Sequence, residues 1–225
     1  MNKDSIFSLQ DVVQGKITIE SDRGVIDLFD KLMRQPQNFF GLLMQQSPQA
    51  LIAFSTFFAQ NKVSQVIELG TGMGGLTILL GICAQLKHFT LHTFDNNLNS
   101  VSPPIAKILE SLPIDRQIGD VHVELTDIVQ DLIKLPGPSV LLCDNGDKVR
   151  EFNMFSVYLK SGDWIFAHDF HESRTIFTAN EQNLFWPNLE ISLENIQKII
   201  DSQHLKKGLL YDSFLLGNWA CFQKE

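Results

Sequence analysis

Acidic and histidine side chains stand at the ends of several apolar runs in this sequence, where they could bind cations, hydroxyl groups or metal ions. These side chains are Glu68, Asp95, Glu124 to Asp127, Asp144, and the pair His168 and Asp169. If the apolar runs are strands of an open α/β sheet, ligands are expected beyond the carboxyl ends of those strands. The sequence therefore predicts that these side chains form a polar ligand site at one edge of a sheet.

A glycine-rich turn follows the first of these runs. The stretch VIELGTGMGGLTILL, residues 66–80, holds four glycines between two apolar segments, Gly70, Gly72, Gly74 and Gly75. The first apolar segment fits a buried strand, and glycines let the turn take positive φ angles and approach a ligand closely. A helix is predicted from Leu76 to Ala84, and its unpaired first N–H groups would favour an anionic or polar small molecule.

Asp95 ends the second predicted strand, one βα unit beyond the glycine turn. A carboxylate there can accept both hydroxyl hydrogens of a ribose, so the turn and Asp95 together predict a nucleoside-containing cofactor. Nicotinamide and flavin sites favour the spacing G-x-G-x-x-G, whereas this turn reads E-x-G-x-G-x-G-G. An anionic Glu68 beside the turn would suit a cationic cofactor better than a pyrophosphate.

Strand and helix signals alternate from Val63 onward. Strands are predicted at residues 65–69, 88–95, 121–125, 139–144 and 163–170, each followed by a helical pattern, at 76–84, 103–112, 126–135, 148–159 and 192–203. Residues 205–212 and 218–224 add two closing strands. This alternation predicts an α/β fold, with a Rossmann-like, mostly parallel seven-stranded sheet and helices on both of its faces.

The N-terminal region has helical patterns of its own between residues 22 and 58. Ser47 and Pro48 are typical of an N-cap and a first helical residue, so the second of these helices is predicted to begin there. The segment 36–46 before it either covers the mouth of a pocket or is a packed connector. We therefore expect an N-terminal helical extension or cap, residues 1–60, and a cofactor-binding domain, residues 61–225.

The composition is that of a folded protein without a strong affinity for nucleic acid. The 225 residues are 44% hydrophobic and 20% charged, with a formal net charge of −8 and a pI near 5.2. A protein with a net negative charge is poorly suited to bind the negatively charged phosphate backbone of nucleic acid. Because no signal-peptide pattern or membrane-length apolar run occurs, we expect a cytoplasmic protein without nucleic-acid or membrane partners. Cys83, Cys143 and Cys221 lack metal or disulfide spacing and are predicted to be structural thiols.

The stretches VIELGTGMGG, LHTFD, VELTD and SVLLCD stand in the order found in class I S-adenosylmethionine-dependent methyltransferases, which the sequence resembles over most of residues 63–170. In that family the first motif lies under the methionine part of the cofactor. The acid of the second strand holds the ribose, and a polar residue after the third strand reaches the adenine. By position, the resemblance implies a cofactor site of Glu68, Gly70, Thr71, Gly72, Gly74 and Asp95, with Thr126 or Asp127 at the adenine.

Residues 141–170 resemble more narrowly the metal-dependent small-molecule O-methyltransferases, both the catechol type and the family with cephalosporin-biosynthesis and rhamnosyl enzymes. Those enzymes bind Mg²⁺ through one carboxylate after the fourth strand and two oxygen ligands after the fifth, which implies Asp144 and Asp169 here. His168 departs from the pattern, because the relatives carry Asp or Glu and imidazole suits Mn, Fe, Ni or Zn. The resemblance implies a divalent metal, Mg, Mn or Fe, bound by Asp144, His168 and Asp169.

The implied activity is methyl transfer from S-adenosylmethionine to a hydroxyl of a small molecule, such as a sugar or a natural-product intermediate. A divalent ion would lower the hydroxyl pKa and orient the oxygen for attack on the sulfonium methyl. Asp147 and His171 are the predicted catalytic bases, with Lys148 as an alternative. An NAD-dependent oxidoreductase and a non-catalytic methyltransferase-like binding module remain alternatives. The sequence leaves open the identity of the acceptor, whether nitrogen or carbon is methylated instead of oxygen, and whether the protein forms a homo-oligomer.

Overall fold

A seven-stranded sheet forms the centre of the computed structural model, which describes residues 38–39, 42–43, 45–97, 99–173 and 191–225. Its strands are β1 (Gln65–Leu69), β2 (Thr90–Asp95), β3 (Ile114–Ile118), β4 (Ser139–Cys143), β5 (Trp164–His168), β6 (Leu205–Lys207) and β7 (Trp219–Lys224). They lie in the order β3-β2-β1-β4-β5-β7-β6. Strands β1 to β5 pair in parallel, and β7 runs antiparallel to β5 and β6. The predicted mostly parallel sheet is thereby confirmed.

Helices connect the parallel strands as the alternating pattern predicts, whereas the strand predicted at 205–212 ends at Lys207 and is followed by a helix from Tyr211. They are α1 (Pro48–Gln60), α2 (Gly75–Lys87), α3 (Pro103–Ser111), α4 (Thr126–Lys134), α5 (Lys148–Phe155), α6 (Leu193–Ser202) and α7 (Tyr211–Leu215), with a 3₁₀ turn at Ser156–Tyr158. Two short ladders pair Asn38–Phe39 with Leu42–Leu43 and Phe170–His171 with Ile191–Ser192. Among the helices of the described residues, none combines the length and apolar character needed to cross a bilayer.

Helix α1 packs into the core of the sheet domain. Ser47 caps it as predicted, since its Oγ accepts a hydrogen bond from the Ala50 amide at 3.1 Å. Phe54 and Phe57 are fully buried, and their rings meet Trp219 and Trp164 at centroid distances of 5.1 and 5.0 Å. Aromatic pairs at such distances stabilise a core beyond the area they bury. The helix predicted before residue 36 lies outside the described residues.

The prediction of buried, structural thiols holds for two of the three cysteines. Cys143 and Cys221 are buried in the core, Cys83 is partly exposed, and all three are free. Burial raises the pKa of both buried thiols. A buried neutral thiol packs as a small hydrophobic side chain.

The third strand lies elsewhere than the sequence predicts. Residues 121–125, which alternate apolar and polar side chains, form a turn because the backbone oxygen of Asp120 accepts hydrogen bonds from three successive amides, those of Val123, Glu124 and Leu125. The third strand is instead β3, with the sequence IDRQI. Its polar residues are tolerated because β3 is an edge strand that pairs only with β2. The prediction of a strand at 121–125 was wrong.

The strand order reverses between β1 and β4, which lie side by side in the middle of the sheet. From β1 the chain proceeds outward to β2 and β3, and from β4 it proceeds the other way, to β5. The loops that leave the carboxyl ends of β1 and β4 therefore diverge and open a crevice, which is where open α/β sheets bind their ligands.

Candidate functional site

A cavity of about 500 Å³ lies at this crevice. Its walls come from the segment before α1, the turn after β1, the end of β2, and the loops after β4 and β5. The lining residues are Gln45, Gln46, Gly70, Thr71, Gly72, Gly75, Leu76, Asp95, Asp144, Asn145, Gly146, Lys148, His168, Asp169, His171 and Asn218. The cavity thus joins the glycine turn to the carboxylates and histidine of the neighbouring strands, as the strand-end pattern predicts.

Three hydrogen bonds hold the glycine turn at the end of β2. The amides of Gly70 and Thr71 donate to the Phe94 carbonyl at 2.8 and 3.2 Å, and the Gly72 amide donates to Asp95 Oδ2 at 2.8 Å. Gly70 has a φ of +103°, and a Cβ atom at this residue would lie 2.5 Å from the backbone oxygen of Asp144. The turn needs glycine at Gly70 because the chains leaving β1 and β4 pass in contact there.

Glu68 supports the turn from inside the sheet and does not line the cavity. Its Oε2 accepts hydrogen bonds from Thr77 Oγ1 at 2.8 Å and from Thr93 Oγ1 at 2.6 Å, and Thr93 is in turn 2.7 Å from Thr71 Oγ1. Complete burial raises the pKa of Glu68 to about 8, although the threonine hydrogen bonds lower it. The carboxyl is therefore protonated at pH 7, and the argument for an anionic Glu68 does not hold for the cofactor-free protein.

The raised pKa of Glu68 predicts a pH-dependent stability. An unfolded glutamate titrates near 4.5, so between pH 4.5 and about 8 only the folded state keeps the proton, and the free energy of unfolding falls as pH rises. Glu68→Gln removes the ionisable group and with it this loss of stability. We expect the gain in the free energy of unfolding of the cofactor-free variant over wild type to be larger at pH 8 than at pH 5, by on the order of 3 kcal/mol. Urea unfolding at both pH values measures the difference. Glu110→Gln, at an exposed glutamate, is the control and should change the free energy of unfolding equally at both pH values. The same result for Glu68→Gln would contradict the prediction.

Asp144, His168 and Asp169 form a cluster at the ends of β4 and β5. His168 Nδ1 is 2.7 Å from Asp144 Oδ1 and 3.6 Å from Asp169 Oδ1, and ligand atoms from all three residues lie within 4.8 Å of one another. Burial lowers the pKa of His168, but the charges of Asp144 and Asp169 and the hydrogen bond to Asp144 more than offset it, so the pKa lies above its ordinary value. The cluster holds the donor types of a divalent transition-metal site.

Lys148 has a larger part in the site than the sequence indicated. It is the first residue of α5, its side chain is only 4% exposed, and its Nζ lies 3.0 Å from Asp169 Oδ2. The preceding Asp147 caps the helix, because its Oδ1 accepts a hydrogen bond from the Arg150 amide at 3.0 Å, and it does not line the cavity. An aspartate directly before a helical pattern is a typical N-cap, so the sequence did contain a signal for this role.

The structure brings most of the predicted site residues together. The predicted residues that line the cavity are Gly70, Thr71, Gly72, Asp95, Asp144, His168, Asp169 and His171; those that do not are Glu68, Gly74, Thr126, Asp127 and Asp147. Thr126 begins α4 and donates to the Val121 carbonyl at 2.9 Å, and Asp127 is exposed beside it. Gly74 is the N-cap of α2, and its Cα faces Ile105 of α3.

Sequence reasoning missed a group of polar lining residues, namely Gln45, Gln46, Asn145 and Asn218. They lie in connecting segments without a motif. Gln45 and Gln46 belong to the segment for which a pocket cover and a packed connector were both open, and they line the cavity. Gln45 Oε1 also accepts a hydrogen bond from the Met73 amide in the glycine turn, at 3.2 Å.

The sheet order, the antiparallel β7 and a cavity beside the glycine turn define the class I methyltransferase fold. Several solved structures share it, including the following three. CmcI, solved with Mg and SAM, is 15% identical, with a TM-score of 0.62 over 100% of this chain and 88% of that one. An O-methyltransferase of the caffeoyl-CoA type, assigned as putative, from Staphylococcus aureus is 14% identical, with a TM-score of 0.52 over 96% and 97% of the two chains. The third is TomG from Streptomyces achromogenes in complex with SAM, 13% identical, with a TM-score of 0.50 over 96% and 95%.

These similarities establish the fold. No protein-family model matches the sequence, and no curated protein matches it. The activity must therefore be argued from the residues that line the cavity.

Proposed function

We propose that this protein is an S-adenosylmethionine-dependent methyltransferase that methylates a hydroxyl of a small polar molecule with the help of a divalent metal. The observation that supports the proposal most is that one cavity joins the glycine turn and Asp95 to the cluster of Asp144, His168 and Asp169. A methyl donor and an activated acceptor must lie side by side, and this cavity offers adjacent sites for both. CmcI, which shares the fold, has been solved with Mg and SAM.

The cofactor is proposed to bind along the glycine turn. Asp95 would accept the ribose hydroxyl hydrogens, and its carboxylate is held in place by the Gly72 amide on Oδ2 and the Asn97 amide on Oδ1, at 2.8 and 3.1 Å. Because the third strand ends at Ile118, the polar residue beyond it is Asp120. The Gly119 amide donates to the Asp95 carbonyl at 2.9 Å, which places this loop next to Asp95. Asp120, like Thr126 and Asp127, does not line the cavity, but its place after the observed third strand and next to Asp95 makes it our proposed adenine contact.

Asp95→Ala tests the ribose site. It removes a charged acceptor for two hydroxyl groups, and one hydrogen bond to a charged group contributes about 1.5–3 kcal/mol. We expect the affinity for S-adenosylhomocysteine to fall by at least about tenfold, as measured by calorimetric titration. Asp127→Ala, at an exposed carboxylate outside the cavity, is the control and should bind as wild type does. Unchanged affinity in Asp95→Ala would remove the ribose assignment.

The metal is proposed to be bound by Asp144, His168 and Asp169. Two carboxylates and an imidazole fit Mn²⁺ or Fe²⁺ better than Mg²⁺, which prefers an all-oxygen set. When bound, the ion would lower the pKa of the acceptor hydroxyl and orient its oxygen. Asp169 takes a left-handed backbone conformation, with a φ of +52°, which aspartate tolerates better than most residues. Such a conformation at a cluster of ligand atoms is typical of a functional site.

Lys148 and His171 are the proposed groups for proton transfer and charge stabilisation. Lys148 Nζ, paired with Asp169, presents a buried positive charge at the cavity and would stabilise the deprotonated acceptor oxygen. His171 also lines the cavity, and its imidazole would accept the hydroxyl proton. Asp147, engaged as the cap of α5, is less suited to that role.

The acceptor is proposed to be polyhydroxylated, such as a sugar. Asn145, Lys148, His171 and Asn218 line the cavity, and polar side chains of these types match hydroxyl groups better than an aromatic ring. Transfer of a labelled methyl group from S-adenosylmethionine to panels of sugars and of catechols, in EDTA and with Mn²⁺, tests both parts of the proposal. Mn²⁺-dependent labelling of sugars is expected, whereas labelling of catechols alone would contradict the acceptor class. Transfer that is equally fast in EDTA would contradict the role of the metal.

A further inference from the structure

Gln46 connects the cluster of Asp144, His168 and Asp169 to the core through two hydrogen bonds. It precedes α1, and only 3% of it is exposed. Its Nε2 donates to Asp144 Oδ2 at 3.0 Å, and its Oε1 accepts from the indole Nε1 of Trp219 at 2.8 Å. An indole N–H can only donate, so the amide oxygen must face Trp219 and the amide nitrogen must face Asp144. The orientation of the Gln46 side chain is therefore fixed by the core.

The same tryptophan supports the histidine of the cluster. Trp219 lies directly opposite His168 across the antiparallel pair of β7 and β5, and their rings stack at 4.8 Å with an interplanar angle of 29°. His168 Nδ1 in turn bonds Asp144 Oδ1 at 2.7 Å. The four side chains thus form a closed ring of contacts, from Trp219 through Gln46 and Asp144 to His168 and back to Trp219.

We infer that Gln46 is a positioning residue for the metal site, an inference that rests on the proposed function. Its Nε2–H donates to Asp144 Oδ2 and restrains the carboxylate, also when His168 gives up its hydrogen bond to Oδ1 to act as a ligand itself, and Oδ2 keeps a second lone-pair site for a cation. Groups that orient a metal ligand typically contribute about 10- to 100-fold to metal affinity. The inference explains why a glutamine of a segment without a motif is buried at the cavity wall.

Gln46→Met tests the inference, because methionine keeps the shape of glutamine and loses both hydrogen bonds. The matched control is Gln65→Met, at another glutamine that is 3% exposed and whose Nε2 donates to Ser139 Oγ at 2.8 Å at the opposite end of β1. Mn²⁺ affinity is measured from the free-ion electron paramagnetic resonance signal, and S-adenosylhomocysteine affinity by calorimetry. We expect Gln46→Met to weaken Mn²⁺ binding about 10- to 100-fold and to leave S-adenosylhomocysteine affinity unchanged. Gln65→Met should change neither.

Trp219→Phe provides a second variant, which keeps an aromatic ring beside His168 but removes the indole N–H together with part of the buried ring volume. This variant should also bind Mn²⁺ more weakly than wild type does. The double variant with Gln46→Met should bind Mn²⁺ as tightly as Gln46→Met alone. Wild-type Mn²⁺ affinity in Gln46→Met, or full additivity in the double variant, would overturn the inference. A wild-type protein that binds S-adenosylhomocysteine but no Mn²⁺ would overturn the metal site as well, and one that binds neither would overturn the proposed function itself.

Discussion

Gly70→Ala is expected to abolish cofactor binding and to destabilise the fold. The new Cβ would lie 2.5 Å from the backbone oxygen of Asp144, an atom that cannot move without displacing β4. The φ of +103° adds strain of about 1–3 kcal/mol for a residue with a side chain. We expect no measurable heat with S-adenosylhomocysteine and a loss of about 3 kcal/mol or more in the free energy of unfolding.

Gly162→Ala is the control that distinguishes backbone strain from a steric clash of the new Cβ atom. Gly162 also has a positive φ, +89°, but no atom lies within 4 Å of the Cβ that alanine would add. This control should lose only the strain of a left-handed conformation, about 1–2 kcal/mol, and should bind the cofactor as wild type does. If both variants behave alike in urea unfolding and in calorimetry, the close approach of the β1 and β4 loops is not what shapes the cofactor site.

Asp144→Asn is expected to abolish Mn²⁺ binding and metal-supported methyl transfer. The change removes the negative charge that faces His168 and that would neutralise a bound cation, and an amide is a poorer ligand than a carboxylate. We expect Mn²⁺ affinity to fall by at least about 100-fold, while S-adenosylhomocysteine still binds along the glycine turn. The free-ion resonance signal and a calorimetric titration give the two affinities.

Asp147→Asn is the matched control, three residues further along the same loop. Asparagine caps helices about as well as aspartate does, and the Asp147 side chain faces the amide of Arg150 rather than the cavity. This variant should keep Mn²⁺ affinity and methyl transfer. Loss of transfer with metal binding intact would show instead that Asp147 is the catalytic base that its place in the sequence predicted.

The residues that line the cavity could be predicted from the sequence where they follow the ends of strands. Strands β1 and β4 are buried along their whole length, and their sequences, QVIEL and SVLLC, are short and mostly apolar. Their ends are therefore unambiguous, and the side chains that follow, such as Asp144, could be assigned to the ligand edge. Asp95 was found in the same way at the end of β2.

The third strand was missed for a physical reason. An edge strand with one neighbour need not be apolar, and residues 115–117 of β3 are Asp, Arg and Gln. The alternating residues 121–125 gave a stronger strand signal, but Asp120 organises them into a turn by accepting amide hydrogens. Because the strand was placed at 121–125, the polar residues after it were taken as Thr126 and Asp127, whereas the polar residue after the observed strand is Asp120.

The hydrogen bond between Trp219 and Gln46 could not be predicted because it depends on tertiary structure alone. The two residues are 173 positions apart, and they meet only when β7 inserts beside β5 and α1 packs on the sheet. Lys148 was undervalued for a related reason. A lysine at a helix start is normally solvated, and its burial against Asp169 follows from the loop after β5, which the pattern of α5 does not reveal.

Calorimetric titration of S-adenosylhomocysteine into the wild-type protein in EDTA tests the central claim most directly, because the glycine turn and Asp95 make the proposed cofactor site without the metal cluster. Saturable binding that weakens in Asp95→Ala, with no competition from NADH, is the predicted result. An absence of heat with S-adenosylhomocysteine, or saturable binding of NADH in its place, would contradict the assignment of this cavity to S-adenosylmethionine.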